Sequence, residues 1–66
     1  MEITLNGEPR DVPDACTVDQ LLQHLGVPAV RVAVEVNLDI VPKARHSEHR
    51  LTAGDEVEVV SFVGGG

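Results

Sequence analysis

Polar and apolar residues alternate at the start of the chain, through Glu2-Ile3-Thr4-Leu5-Asn6. A period of two marks a half-buried strand with Ile3 and Leu5 turned inward. Asn6-Gly7 follows, a pair that accepts positive φ at both central positions of a tight hairpin turn, so the chain should reverse there. The return strand, over about residues 9–12, contains Pro9 and is expected at an edge, because proline lacks the N–H that a central strand donates.

The period then changes. Thr17 offers its hydroxyl to an early helical N–H and Gln20 reaches back to the cap, a capping box of the T-x-x-Q form. Asp19 in the first turn suits the positive end of the helix dipole. Val18, Leu21, Leu22 and Leu25 then form one apolar stripe. Gly26 ends the helix by taking a left-handed conformation, and Pro28 keeps it from resuming. These signals predict a helix over residues 18–25.

Alternation returns over residues 30–37, with Val32, Val34 and Val36 on one face and Ala33, Glu35 and Asn37 on the other. The β-branched content favours a strand. Residues 38–50 have no sustained period, contain Pro42 and many charges, and read as a surface loop with a short turn of helix. Ala53-Gly54-Asp55 is a turn signal, and residues 56–62 make the last strand. One helix with one apolar stripe must bury it against one face of the sheet. The expected fold is therefore α+β: a mixed four- to five-stranded sheet packed on one main helix, the ubiquitin-like β-grasp arrangement. Residues 1–63 are assigned to that domain and residues 64–66 to a flexible tail.

Composition narrows the function. With 66 residues, 42% of them apolar and Phe62 the one aromatic, the chain supplies a single core. Small-molecule pockets occupy about 300–1,000 Å³, more than such a core leaves room for, so catalysis by this chain alone is not expected. The net charge of −6 argues against nucleic acid, whose affinity comes from cations at phosphates. It fits steering toward a basic protein surface. The apolar runs are too short to span a membrane, and Met1-Glu2-Ile3-Thr4 lacks the basic start and apolar stretch of a secretory signal. Cys16, the one cysteine, forms no internal disulfide, which suits the cytoplasm.

The C-terminal Gly64-Gly65-Gly66 carries the chemistry. A carboxylate is a poor electrophile, but adenylation gives it a good leaving group, and a sulfur nucleophile then attacks the activated carbonyl. Glycines without Cβ atoms pass into a narrow active site where larger residues would clash. A glycine tail on a folded head therefore suits a carrier whose end is worked on inside other enzymes. A frayed terminus is the bland alternative.

Other reactive residues offer less. Cys16 stands before the helix, where a thiol can be activated, yet no partner base accompanies it, so it is read as structural. His46 and His49 are expected as solvated loop residues with His24 distant in sequence, since zinc wants three or four ligands. Asp55, Glu56 and Glu58 read as a solvated turn and strand face, secondarily as a steering surface for a basic partner.

Several segments together resemble the ThiS family, the thiamine-biosynthesis sulfur carriers within the ThiS/MoaD group of ubiquitin-like proteins. They are Thr17-Val18-Asp19-Gln20-Leu21-Leu22, Val32-Ala33-Val34-Glu35-Val36-Asn37 with Ile40-Val41-Pro42-Lys43, Gly54-Asp55-Glu56-Val57, and Val59-Val60-Ser61-Phe62-Val63-Gly64-Gly65-Gly66. The resemblance implies that a ubiquitin-activating (ThiF-type) adenylating enzyme uses MgATP on the carboxylate of Gly66. Sulfur drawn from cysteine through a desulfurase then converts it to a thiocarboxylate, which a thiazole synthase (ThiG-type) accepts during thiazole assembly. Gly64 and Gly65 thread the tail into both partners, and no cofactor is held permanently. The chain departs from many relatives at Ala53, where they carry Asp, and in Lys43-Ala44-Arg45-His46, which lacks a tryptophan.

Strand alternation adds a candidate docking patch. If Val57, Val59 and Ser61 face the helix, Val60 and Phe62 face outward and, with Val63 beside the tail, form an apolar surface for a partner. A one-residue slip in register would exchange the faces. Two alternatives share the adenylation step: a MoaD-like or other thiocarboxylate carrier with a different acceptor, and a ubiquitin-like modifier joined to lysine.

Overall fold

The Asn6-Gly7 reversal forms as the sequence predicts, with φ of 49° and 84° at the two residues. It joins β1 (Glu2–Leu5) to β2 (Glu8–Asp11), paired antiparallel with Leu5 opposite Glu8. This computed structural model describes residues 1–62; the positions assigned to Val63, Gly64, Gly65 and Gly66 lie outside the described residues.

Helix α1 runs Val18–Leu25, with both arms of the capping box present. The Gln20 N–H donates to Thr17 Oγ1 at 3.1 Å, and the Thr17 N–H donates to Gln20 Oε1 at 2.9 Å. Two further first-turn donors meet carbonyls of a later segment: Val18 N–H to His49 O and Asp19 N–H to His46 O, both at 2.9 Å. Helix N-termini leave such donors orphaned, so these bonds also fasten the segment around residues 46–49 to the helix. Gly26 ends the helix at φ 74°, the left-handed conformation expected of it. Val18, Leu21 and Leu22 are fully enclosed, each worth about 2 kcal/mol of apolar burial, while Leu25 at the last turn is only half covered.

Two expectations about the middle of the chain change. The third strand, β3, is Val32–Val36, shorter than the 30–37 alternation suggested. Pro28 instead leads into a 3-10 turn, Ala29–Arg31, closed by Arg31 N–H to Pro28 O. Val30 consequently stands out to solvent. The segment read as loop also contains a strand, β4 (Asp39–Val41), followed by a 3-10 turn at Lys43–Arg45. Asn37 and Leu38 join β3 to β4 with φ of 51° and 73°. Three residues are too few to show a period, and the turn carries leucine where glycine usually marks such a bend. Left-handed geometry at Leu38 costs about 1–2 kcal/mol.

The last strand, β5 (Glu56–Ser61), lies at the centre of a five-stranded sheet ordered β2-β1-β5-β3-β4. It runs parallel to β1 and antiparallel to β3, so the sheet is mixed. Proline-bearing β2 is at one edge, as expected. The inner faces of the strands contribute Ile3, Val32, Val34, Val36, Val41 and Val57 to a core closed by the helix stripe, Val12, Cys16 and Leu51.

His46 corrects a further expectation. It is 4% exposed, not solvated. The 3-10 turn before it directs the ring inward, where Nε2 lies 3.1 Å from Val41 O and Nδ1 has no partner among the described residues. His49 is half-buried.

Candidate functional site

The site is built on β5, the strand that precedes the glycines in the sequence, and its main chain is gripped from both sides. Near its start, the Asn37 N–H donates to Glu56 O at 2.7 Å, and Asn37 Oδ1 accepts the Glu56 N–H at 3.0 Å. Asn37 Nδ2 also donates to Asp55 Oδ1, at 3.0 Å. Further along, the Asn6 N–H donates to Val57 O at 2.9 Å. The Asn6 side chain then takes both main-chain groups of Val59, accepting its N–H at 2.8 Å and donating to its carbonyl at 3.3 Å. At the far end the Phe62 N–H reaches Arg31 O at 2.7 Å.

These two asparagines were absent from the sequence-derived site. Each follows a strand and precedes a residue that also has positive φ, a position where asparagine tolerates the backbone and spends its amide on a neighbour. The Asn6-Gly7 pair carried that signal. Asn37 was hidden within the apparent strand.

On the outer face of the sheet, Val60 and Phe62 are 52% and 57% exposed, while Val57 beneath is enclosed and Val59 half-buried. Ser61 has the inward parity of Val57 and Val59, yet it is exposed, because the core does not extend that far. Ala33 stands opposite Val60 in the β3–β5 ladder. One row back, Glu35 faces Glu58 on one side and Ile40 on the other. Like charges directly opposite one another destabilise a sheet. An open hollow, lined in part by Asn6, Gly7, Glu56, Glu58, Val60 and Ser61, runs along this part of β5. The outer surface thus combines apolar side chains near the end of β5 with carboxylates behind them. Val63, also assigned to that patch, lies outside the described residues.

Cys16 is brought into the core, with its Sγ 3.4 Å from Thr17 O. Burial pushes its thiol pKa up, the opposite of the shift that activates a nucleophilic cysteine. Among the described residues, no three of His, Cys, Asp and Glu gather where they could hold a metal ion, and no helix is long and apolar enough to cross a membrane.

One helix laid across a mixed sheet, with the chain leaving from the central strand, defines a ubiquitin-like β-grasp protein. The ThiS family profile matches residues 3–66, and the chain belongs to the ThiS family. It is 39% identical to the sulfur carrier protein ThiS of Bacillus subtilis (strain 168), in an alignment covering 97% of this chain and 98% of that protein. The crystal structure of the thiamine biosynthesis protein ThiS from Geobacter metallireducens superposes with a TM-score of 0.83 at 36% identity, each chain covered in full. A thiazole synthase of Paramagnetospirillum magneticum is 46% identical over the whole of this chain, which spans only 20% of that protein's length.

Proposed function

We propose that this chain is a sulfur carrier for thiazole assembly in thiamine biosynthesis, working through the carboxylate of Gly66. The observation that carries the reading is the grip on β5: the strand leading to the glycines is fixed from Glu56 to Phe62 by main-chain and asparagine contacts. Four residues, 63–66, follow Phe62 in the sequence and span at most about 14 Å by covalent geometry. A strand held in this way fixes the point from which the glycines extend relative to the docking surface. The similarity to a ThiS that matches this chain almost end to end supports the same reading.

In this proposal a ThiF-type enzyme binds the outer face and feeds Gly64 and Gly65 into its active site. A carboxylate oxygen of Gly66 attacks the α-phosphorus of MgATP, and pyrophosphate leaves. A persulfide supplied through a cysteine desulfurase then attacks the acyl carbon, and AMP departs. A partner thiol cleaves the S–S bond of the acyl disulfide, becoming oxidised to a disulfide as the thiocarboxylate is released. The resulting thiocarboxylate passes its sulfur to a thiazole synthase. The chain contributes no catalytic side chain, and the steps take place in the cytoplasm. Val60, Phe62 and Val63 serve as the apolar docking patch, with Glu35 and Glu58 meeting basic residues of the partner.

The test is pyrophosphate release by a ThiF-type enzyme supplied with MgATP and this chain. Release is expected with the full chain and not with one lacking Gly65 and Gly66. Val60→Asp should slow release while leaving the circular dichroism spectrum unchanged, because Val60 is exposed. Unfolding by Val60→Asp, or full activity of the truncated chain, would contradict the proposal.

A further inference from the structure

Main-chain groups along a strand point alternately to its two sides. On β5, Glu56 O accepts from Asn37, and the Phe62 N–H donates to Arg31, so even-numbered residues face β3. Asp55 O and Val57 O accept from Thr4 and Asn6, and Val59 meets the Asn6 side chain, so odd-numbered residues face β1. Ser61 follows in that odd series. By then β1 has ended at Leu5 and the chain has turned away at Asn6-Gly7. The Ser61 N–H and C=O therefore point into open space beside that turn, with no partner among the described residues.

The outer edges of the sheet are poor sites for strand addition. Edge strand β2 is the exposed run Glu8-Pro9-Arg10-Asp11, and edge strand β4 is three residues long and followed by Pro42. Charge, proline and shortness are the devices that blunt sheet edges. Ser61, last in β5, has none of these guards. The hollow beside it is lined by Glu56 and Glu58.

We propose that an extended segment of the thiazole synthase partner pairs in strand fashion with Ser61, taking its N–H and C=O, and places a basic side chain against Glu58. The segment continues the ladder from the point where the Asn6 side chain leaves it. A second copy of this chain would bring its own acidic row against this one and is disfavoured by charge. The inference rests on the sulfur-carrier reading and adds to it the atoms through which the acceptor enzyme holds the strand.

The experiment uses the full chain, made by total synthesis, with an ester in place of the Val60–Ser61 peptide bond; this deletes the Ser61 N–H and also weakens the Val60 carbonyl, which faces β3, as an acceptor. Ser61→Pro deletes the same donor genetically and spares the β3 ladder, which Ser61 does not join by hydrogen bonds. Ser61→Ala keeps the donor. Affinity for thiazole synthase from the same organism is measured by calorimetry, together with exchange of the Ser61 amide. Ester and proline chains should bind roughly three- to tenfold more weakly, as for one lost hydrogen bond, and the alanine chain as the parent does. The Ser61 amide should become protected on binding. Parental affinity of the ester chain, an unprotected Ser61 amide, or self-association through Ser61 without the enzyme would each overturn the inference. Normal thiocarboxylate formation on the ester chain would show that the carrier reading survives that failure. No binding by the parent chain would overturn both.

Discussion

The side-chain amide of Asn6 stands in for a strand residue beside Val59, taking both its N–H and its C=O. Where β1 turns away, this amide extends the ladder by one step, so β5 stays paired on that side through Val59. The same residue sits at φ 49°, so its backbone and side chain answer two separate demands.

Substitutions at residue 6 separate them. Asn6→Gly tolerates positive φ and removes the amide, and should cost about 1–2 kcal/mol for two hydrogen bonds. Asn6→Ala loses the bonds and strains the backbone, and should cost about 1 kcal/mol more. Urea denaturation measures both. A glycine variant as stable as the parent would show that the Val59 contact contributes nothing.

The facing pair Glu35 and Glu58 is the clearest local conflict in the sheet. Glu35→Gln should raise stability by roughly 0.2–1 kcal/mol, since like charges across a ladder repel. The gain should shrink in high salt as screening grows. The same variant should weaken binding to a basic partner. If the variant is less stable at low salt, repulsion between the two carboxylates does not govern stability at that position.

Much of this architecture was legible from particular residues. The helix read correctly at both ends because Thr17 and Gln20 spell its start chemically and Gly26 its stop. The Asn6-Gly7 turn read correctly because few residue pairs take two positive φ values. β4 did not read, because a three-residue edge strand carries no period and its turn uses Leu38. The burial of His46 was hidden for a related reason. The polar residues around it, Arg45 and Glu48, are exposed, and only the 3-10 turn turns the ring inward. On β5, alternation gave the faces of Val57 and Val60, but nothing in the pattern showed that cover ends before Ser61. The role proposed for the glycines rests on their composition, and they lie outside the described residues.

Cys16 links the core to pH. Burial raises its thiol pKa above the unfolded value of about 8.5. Between the two values the unfolded chain has lost a proton that the folded chain retains, so stability falls as pH rises. The contribution is complete below about pH 8.5 and is lost as pH climbs through the folded-state value. Melting temperatures across that range should decline less steeply for Cys16→Ala than for the parent. Native protein should also react slowly with thiol reagents until urea exposes the residue. Rapid reaction of the folded chain would contradict burial of the thiol.

The proposed reactive group is the carboxylate of Gly66, and intact-mass spectrometry of the protein isolated from cells reads its chemical state without an intermediary. The predicted result is a subpopulation heavier by one exchange of oxygen for sulfur, mapped by fragmentation to Gly66 and absent when Gly65 and Gly66 are deleted. Protein bearing no such exchange, in cells actively making thiazole, or found joined through Gly66 to lysine side chains, would contradict it.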